Sequence, residues 1–390
     1  MLFYENKGNY FELIEPLISN TFEGRQIIWA DFDNDLDKDL IYATYGQGVF
    51  LYQNDGNLNF TDVTENYGLD SSHDFVSGVS YGDINNDGYL DLYLSNYWET
   101  NQLYIYDGSQ YIDITSTSNT SNGPAPSFCS TLFDFNNDGL LDIYVINDKI
   151  LHPNALFMNI GNNFFVDVSV PSQTNIAIDA MNGGVADYNH DGYFDIYVTD
   201  EHTSIFLENQ GDNTFQDVAS STNTTFDRLG WGGNFFDFDN DMDLDLYVST
   251  GLANESSPSA FYVNDNYIYN EPFLNSSGIS GGDTLGSFTN VIGDFNNDGL
   301  QDIVTGGKGS SPFRIFLNHE QIENNFIKLD LQGVDSNRDA YGALIEVIID
   351  GTSQWHQKMC ANAYLAQNSC LLYTSPSPRD QRGSRMPSSA

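Results

Sequence analysis

Along most of the chain, apolar and polar positions alternate in short runs, and the runs come in groups of four. In one group "SGVSYG" leads into "DINNDGYLD", which passes directly into "LYLSN", then "QLYIYDGS", then "QYIDIT". A period of two marks strands, whereas a helix would repeat its apolar positions every three to four residues, and no stretch does so. Four such strands, punctuated by Asn, Asp and Gly, predict one small antiparallel sheet per group.

The group repeats. Its acidic segment recurs as "DFDNDLDKDL" from Asp31, "DINNDGYLDL" from Asp83, "DFNNDGLLDI" from Asp134, "DYNHDGYFDI" from Asp187, "DFDNDMDLDL" from Asp237 and "DFNNDGLQDI" from Asp294. Successive starts lie 52, 51, 53, 50 and 57 residues apart. Repeats of this length made only of strands predict an all-β fold, a β-propeller of four-stranded blades over 1–322. The opening "LFYENKGNYFELIE" matches the third and fourth strands of a unit, and the sixth unit stops after its third strand at "FRIFLNHE". A six-bladed ring closed by "YFELIE" and a seven-bladed ring with an incomplete first blade both fit. The presence of two strands, where closure needs one, favours seven.

Composition then narrows the function. With 13 Lys plus Arg against 55 Asp plus Glu, the formal net charge is −42, which argues against nucleic acid or an anionic membrane as partner. Such acidity often means disorder, but 14% aromatic and 40% hydrophobic residues supply a core. No window approaches the ~18 consecutive apolar residues of a membrane helix. "MLFYENKGNYFELIE" has neither the basic start nor the apolar core of a signal peptide, and because it already reads as two strands the chain is expected to be N-terminally incomplete. Cys129, Cys360 and Cys370 are too few and scattered for a disulfide framework or zinc site and read as inert thiols. The histidines His73, His152, His190, His202, His319 and His356 show no paired spacing, and His190 reads as a solvated loop residue.

Within each acidic loop, oxygen-bearing side chains fall at positions one, three, five and nine, with Gly at position six in four copies. Calcium takes about six to eight oxygen ligands, which residues at odd positions of a tight loop can supply together with the position-seven carbonyl. The start resembles an EF-hand, but position twelve is Tyr42, Leu94, Val145, Val198, Val248 or Thr305, none able to ligate as the EF-hand Glu does, and a strand follows. No His or Cys occupies a ligand position, which disfavours zinc.

The blades resemble the FG-GAP/VCBS repeats of calcium-binding β-propellers, in which a D-x-[DN]-x-D-G-x-x-D loop joins the first two strands of each blade. The resemblance implies about six Ca2+ ions. The metal set it gives is Asp31, Asp33, Asp35, Asp37 and Asp39; Asp83, Asn85, Asp87, Tyr89 and Asp91; and Asp134, Asn136, Asp138, Leu140 and Asp142. It continues with Asp187, Asn189, Asp191, Tyr193 and Asp195; Asp237, Asp239, Asp241, Asp243 and Asp245; and Asp294, Asn296, Asp298, Leu300 and Asp302. Asp37, Tyr89, Leu140, Tyr193, Asp243 and Leu300 stand at position seven. Leu36 and Met242 replace the expected Gly, so the first and fifth loops need a strained residue there. Six ions would change the charge only to −42 + 12 = −30, so the metal relieves repulsion inside each loop and its role is expected to be structural.

After "IFLNHEQIE" the register breaks. Residues 324–370, with "NFIKLDLQG", "SNRDAYGALIEV" and "AYLAQNS" in that order, resemble a partial ASPIC/UnbV domain, a small β module. Residues 371–390, "LLYTSPSPRDQRGSRMPSSA", shift abruptly in composition, resemble translated adaptor sequence, and are expected to be disordered. The expectation is a secreted or surface-exposed, monomeric calcium-stabilised propeller that binds a protein or glycan ligand, with no catalytic residue assigned. A polysaccharide-active enzyme, lyase or hydrolase, is the alternative. Exposed aromatics beside a Lys, Arg or His cluster on one face would favour it.

Overall fold

The computed structural model describes all residues except 1–2, 9, 15–17, 19–21, 70–74, 252–257, 271–285, 308–312, 320–325, 350, 370–371 and 375–390. His73 and Cys370 therefore lie outside the described residues, as does most of the expected disordered tail.

The chain folds as a β-propeller. Numbered in order, blades 1, 4 and 5 are four-stranded antiparallel sheets, blades 2 and 3, of four strands each, join into one eight-stranded sheet, and a three-stranded blade 6 of Thr289–Gly293, Asp302–Gly306 and Arg314–Phe316 follows. Each acidic loop joins the first two strands of its blade; in blade 2 it links Val76–Gly82 to Asp91–Thr100. The second strands are buried on both faces, as in Asp142–Asn147 and Asp195–Asp200, because each blade is covered by a neighbour on either side. The fourth strands are the short outer edges, and in Tyr111–Asp113, Phe165–Asp167 and Phe215–Asp217 only the first residue is buried.

Apolar clusters fill each gap between blades. Ile28, Leu51, Val79 and Leu92 pack blade 1 on blade 2, while Phe236, Tyr247, Ile292 and Ile303 pack blade 5 on blade 6. The N-terminal hairpin, Phe3–Asn6 paired with Phe11–Ile14, forms a sheet of its own. Phe3 packs with Leu40, Tyr42 and Tyr52 of blade 1, while Phe11 meets Phe295 of blade 6 edge-on and the Asn6 amide donates to the Phe295 carbonyl. The hairpin thus occupies a seventh position between the last and first blades, and does not serve as the missing fourth strand of blade 6.

Beyond the ring, Leu344–Ile349 pairs with Thr352–Gln357, and Ile327–Leu329 pairs with Leu372–Thr374. The last pairing differs from the expected boundary at 370: the apolar start of the tail continues the module as a strand. No helix among the described residues is long and apolar enough to cross a membrane. Cys129 and Cys360 are both buried, and burial pushes the Cys129 thiol up to about 12.

Candidate metal loops and the segment that covers them

All six loops share one geometry, set by backbone N–H groups. The position-one Asp accepts from the N–H groups of positions five and six; in blade 2 Asp83 takes Asp87 N at 2.9 Å and Gly88 N at 3.0 Å. The position-nine Asp ties the loop's start to the third strand. Asp91 accepts from Ile84 N at 2.9 Å and Tyr106 N at 2.9 Å, and Asp142 does the same with Phe135 and Asn159. An ionised carboxylate oxygen has a second lone pair, so these bonds orient the group and still leave it able to ligate.

Positions four and six both take left-handed backbone. Position six has φ 91° at Gly88 and 93° at Gly299, and Leu36 (79°) and Met242 (89°) adopt the same strained conformation without glycine's freedom. Position four, at Asn34, Asn86, Asn137, His190, Asn240 and Asn297, lies between φ 55° and 65°.

Its side chain reaches the position-six carbonyl of the next loop. Asn34 donates to Gly88 O at 3.0 Å, Asn86 to Gly139 O at 3.1 Å, Asn137 to Gly192 O at 2.9 Å and Asn240 to Gly299 O at 3.3 Å. His190 takes the same place, with Nε2 3.1 Å from Met242 O, so it is a bridge between loops and not the solvated residue expected. The six loops are therefore hydrogen-bonded in series. Sequence reasoning missed this, although asparagine recurs at position four in five of the six copies.

In blades 1 and 5 position three is Asp, and the acidic ligands converge. Acidic ligand atoms of Asp31, Asp33 and Asp39, and of Asp237, Asp239 and Asp245, lie within 4.8 Å of one another. In the other four loops the position-three amide donates to the position-five carboxylate, as Asn85 does to Asp87 at 2.9 Å. At position seven of the fifth loop, the Asp243 side chain accepts from Asn266 N at 3.1 Å.

Electrostatics set the demand for a cation. Burial pushes the position-nine carboxyls upward, Asp39 to about 8 and Asp91, Asp142, Asp195 and Asp245 well above the usual carboxylate range. Burial, then the neighbouring Asp239 charge, takes Asp241 to about 7, and burial takes Asp187 to about 7. Buried Asp33 Oδ1 and Asp37 Oδ1 have no hydrogen-bond partner. Carboxylates buried together without compensation must hold protons or a cation, so the loops fit a hard divalent ion.

The C-terminal module touches every loop. Asp339 accepts from Asp31 N at 2.8 Å and pairs with Lys38, while Asn337 bonds Asp83 and Gln357 accepts from Asp134 N at 3.0 Å. A methyl group placed on Gly192 would lie 3.3 Å from the Trp355 indole nitrogen. Gln354 donates to Met242 O at 2.7 Å, and Lys328 Nζ lies 2.5 Å from Asp294 Oδ2.

Deeper in, side-chain amides bond the innermost strands, two of them pairing as another strand would. Gln367 bonds both N and O of Trp29 at 3.0 Å, and Asn362 bonds N and O of Val185 at 2.9 and 3.1 Å. Asn368 accepts from Ile292 N at 3.0 Å. A cavity of about 150 Å³ remains between this segment and blades 4 to 6, lined by Val185, Asp237, His356 and Asn362.

At the opposite, loop-free end Asp179, Glu201 and His202 also cluster, but they are largely exposed and Lys149 Nζ lies 3.9 Å from Asp179, so they read as a surface charge network.

A family described as FG-GAP-like repeat matches residues 31–94, 83–145, 134–198 and 187–248. Cartilage acidic protein 1 of Mus musculus is 26% identical over 176 residues, covering 41% of this chain; the chain spans only 27% of that relative's length. Among solved structures, PorZ, a bacterial surface component of the type-IX secretion system of Porphyromonas gingivalis, matches with a TM-score of 0.50 at 9% identity, over 93% of this chain and 50% of PorZ. An Agrocybe aegerita lectin that recognises non-reducing terminal N-acetylglucosamine matches with a TM-score of 0.49 at 17% identity, over 77% of this chain and 81% of the lectin.

Proposed function

Because the chain belongs to the FG-GAP-like repeat family, we propose that it is a calcium-binding, extracellular β-propeller that serves as a non-catalytic binding module for a protein or glycan. The observation that carries the calcium reading is the convergence of buried carboxylates in loops of one geometry, with Asp39 held up to about 8 and an oxygen of Asp33 left without a partner. The calcium is structural: the same ligand pattern stands at the same place in each blade, which is what a fold needs and a single active site does not. The ligands are the thirty residues named from the repeat, those at position seven acting through the carbonyl. Sites of the weak extracellular class, with dissociation constants of about 10⁻⁴ to 10⁻³ M, suit millimolar external calcium. The module from 324 is an ASPIC/UnbV-like domain that clasps the loop face.

Thermal unfolding in calcium and then in chelator tests this reading. The midpoint is expected to fall on chelation and to recover on adding calcium back; a midpoint indifferent to both would refute the calcium role. A polysaccharide-active enzyme is the second reading, favoured by the exposed Trp98 beside His152 and Lys149 on the loop-free face. Release of new reducing ends or unsaturated sugar from a polysaccharide panel would establish it.

A further inference from the structure

The repeat supplies its own control: what one blade has and the others lack is not needed to build a blade. The second strand of blade 2, Asp91–Thr100, runs 10 residues, whereas its counterparts Asp39–Thr44, Asp142–Asn147 and Asp195–Asp200 run 6. The extra residues rise from the loop-free end and pair with the next blade, Tyr97 with Pro126 and Thr100 with Pro124. At the tip Trp98 is held at φ 65° with 51% of its surface exposed. A bulky aromatic in left-handed backbone is strained, and Trp98 takes that conformation as the extra residue where the pairing with the next blade shifts register between Pro126 and Ala125.

The surroundings are built, not loose. The Trp98 ring meets His152 edge-to-face at 5.1 Å, Tyr97 stacks on Phe128 at 5.2 Å, and Phe128 leads on to Trp231 at 6.1 Å. Beside them Tyr97 Oη donates to buried Asp148 at 2.9 Å, and Lys149 Nζ donates to the same carboxylate at 2.6 Å.

We infer that the Trp98 lip is a binding site for a neutral pyranose of a glycan, with the Trp98 ring as platform and Lys149 and His152, the former held by buried Asp148, contacting hydroxyls. Resting on the binding-module reading above, this names the face and the ligand class. The choice of a neutral sugar follows from two features. Lys149 is already answered by Asp148 at 2.6 Å and lies 3.9 Å from Asp179, so the lip offers oriented donors and acceptors without an unanswered cation to hold an anionic ligand. A pyranose presents one face of C–H groups, which packs on the electron-rich face of an aromatic ring, and an edge of hydroxyls, which such fixed polar groups satisfy.

The test is a neutral-glycan array on the calcium-loaded full chain, then titration of each retained glycan by tryptophan fluorescence with Trp98→Asn and Trp98→Phe. Asn tolerates left-handed backbone, so Trp98→Asn is expected to keep or raise the melting midpoint while weakening glycan binding at least tenfold, with Trp98→Phe between. A purely structural Trp98 would lower the midpoint and leave affinity unmoved. Glycan binding within twofold of the parent in Trp98→Asn overturns the site while leaving the module reading intact. A parent chain that retains no neutral glycan, or that uses Trp98 only for a protein ligand, overturns the ligand class. The chelation experiment separately decides the calcium reading.

Discussion

Asn362 gives a sharp test of how the C-terminal segment holds the ring. Its amide satisfies both the N–H and the carbonyl of Val185, a residue only 2% exposed on the innermost strand of blade 4. Removing the amide leaves two desolvated backbone groups, each costing about 1 to 3 kcal/mol if nothing replaces the partner. The neighbouring cavity decides where in that range each variant falls. It is lined by both Val185 and Asn362 and has room for water, so Asn362→Ala lets water reach the strand and should cost only about 1 to 2 kcal/mol. Asn362→Leu fills the same space with methyl groups that exclude water and bond nothing, and should cost about 2 to 5 kcal/mol. The assay is urea unfolding of the calcium-loaded chain, with amide exchange of the Val185 segment as local readout. If Leu is no more damaging than Ala, or Val185 exchanges at its parent rate in both, the amide is not acting as a substitute strand.

Three further outcomes follow from the loops. Leu36 holds the position-six conformation at φ 79° with 62% of its surface exposed, so Leu36→Gly should relieve backbone strain at little packing cost and stabilise by about 0.5 to 1 kcal/mol; a lower urea midpoint would contradict this. The folded Asp39 carboxyl lies above its ordinary value of 3.8, at about 8, so between those values the metal-free native state holds a proton that the unfolded chain has released. Metal-free stability should therefore fall as pH rises through that window, and calcium binding at pH 7 should release protons; calorimetry in two buffers of different ionisation enthalpy would show no difference if this is wrong. In loop six the Lys328 ammonium already sits 2.5 Å from Asp294, so Lys328→Gln should tighten the sixth calcium site on the order of tenfold, and an unchanged titration curve would remove Lys328 as a competitor.

The blades were legible because two signals agree, a period of two within strands and a period of about 50 between acidic loops. Position six at Leu36 and Met242 was legible too, since the loop path dictates φ whatever residue stands there. The bridging role of position four was not. Asn34, Asn86 and Asn137 suggest an ordinary Asx turn locally, and only the ring places the next loop's carbonyl within reach of each amide. The register of repeats held the clue, because a turn needs no Asn in five of six copies. Docking of the last segment was illegible for another reason. Gln367 meets Trp29 across 338 residues of sequence, and nothing in "AYLAQNS" says which backbone an amide will bond. The Trp98 lip was hidden because "LYLSNYWET" reads as one strand, and strand length alone does not show which sheet its end will join.

The two halves of this arrangement bear on each other. The segment from Arg338 to Ser369 packs where six loops of like charge converge, and the bonds it makes to them go largely to backbone groups, as at Asp31 N, Asp134 N and Met242 O. Such bonds fix position without cancelling charge, and Asp339 adds a further carboxylate that Lys38 must answer. Two carboxylates 4 Å apart repel by about 4 kcal/mol at an effective dielectric near 20, so the loops themselves are the larger obstacle to closure. A divalent ion bound in each loop, as proposed, would turn that repulsion into attraction and fix the loop geometry on which the backbone donors depend. Metal uptake and closure of the C-terminal segment should therefore be one cooperative event. The observable consequence is that chelation should speed amide exchange at Trp29, Val185 and Ile292 together, although none of the three lies in a loop.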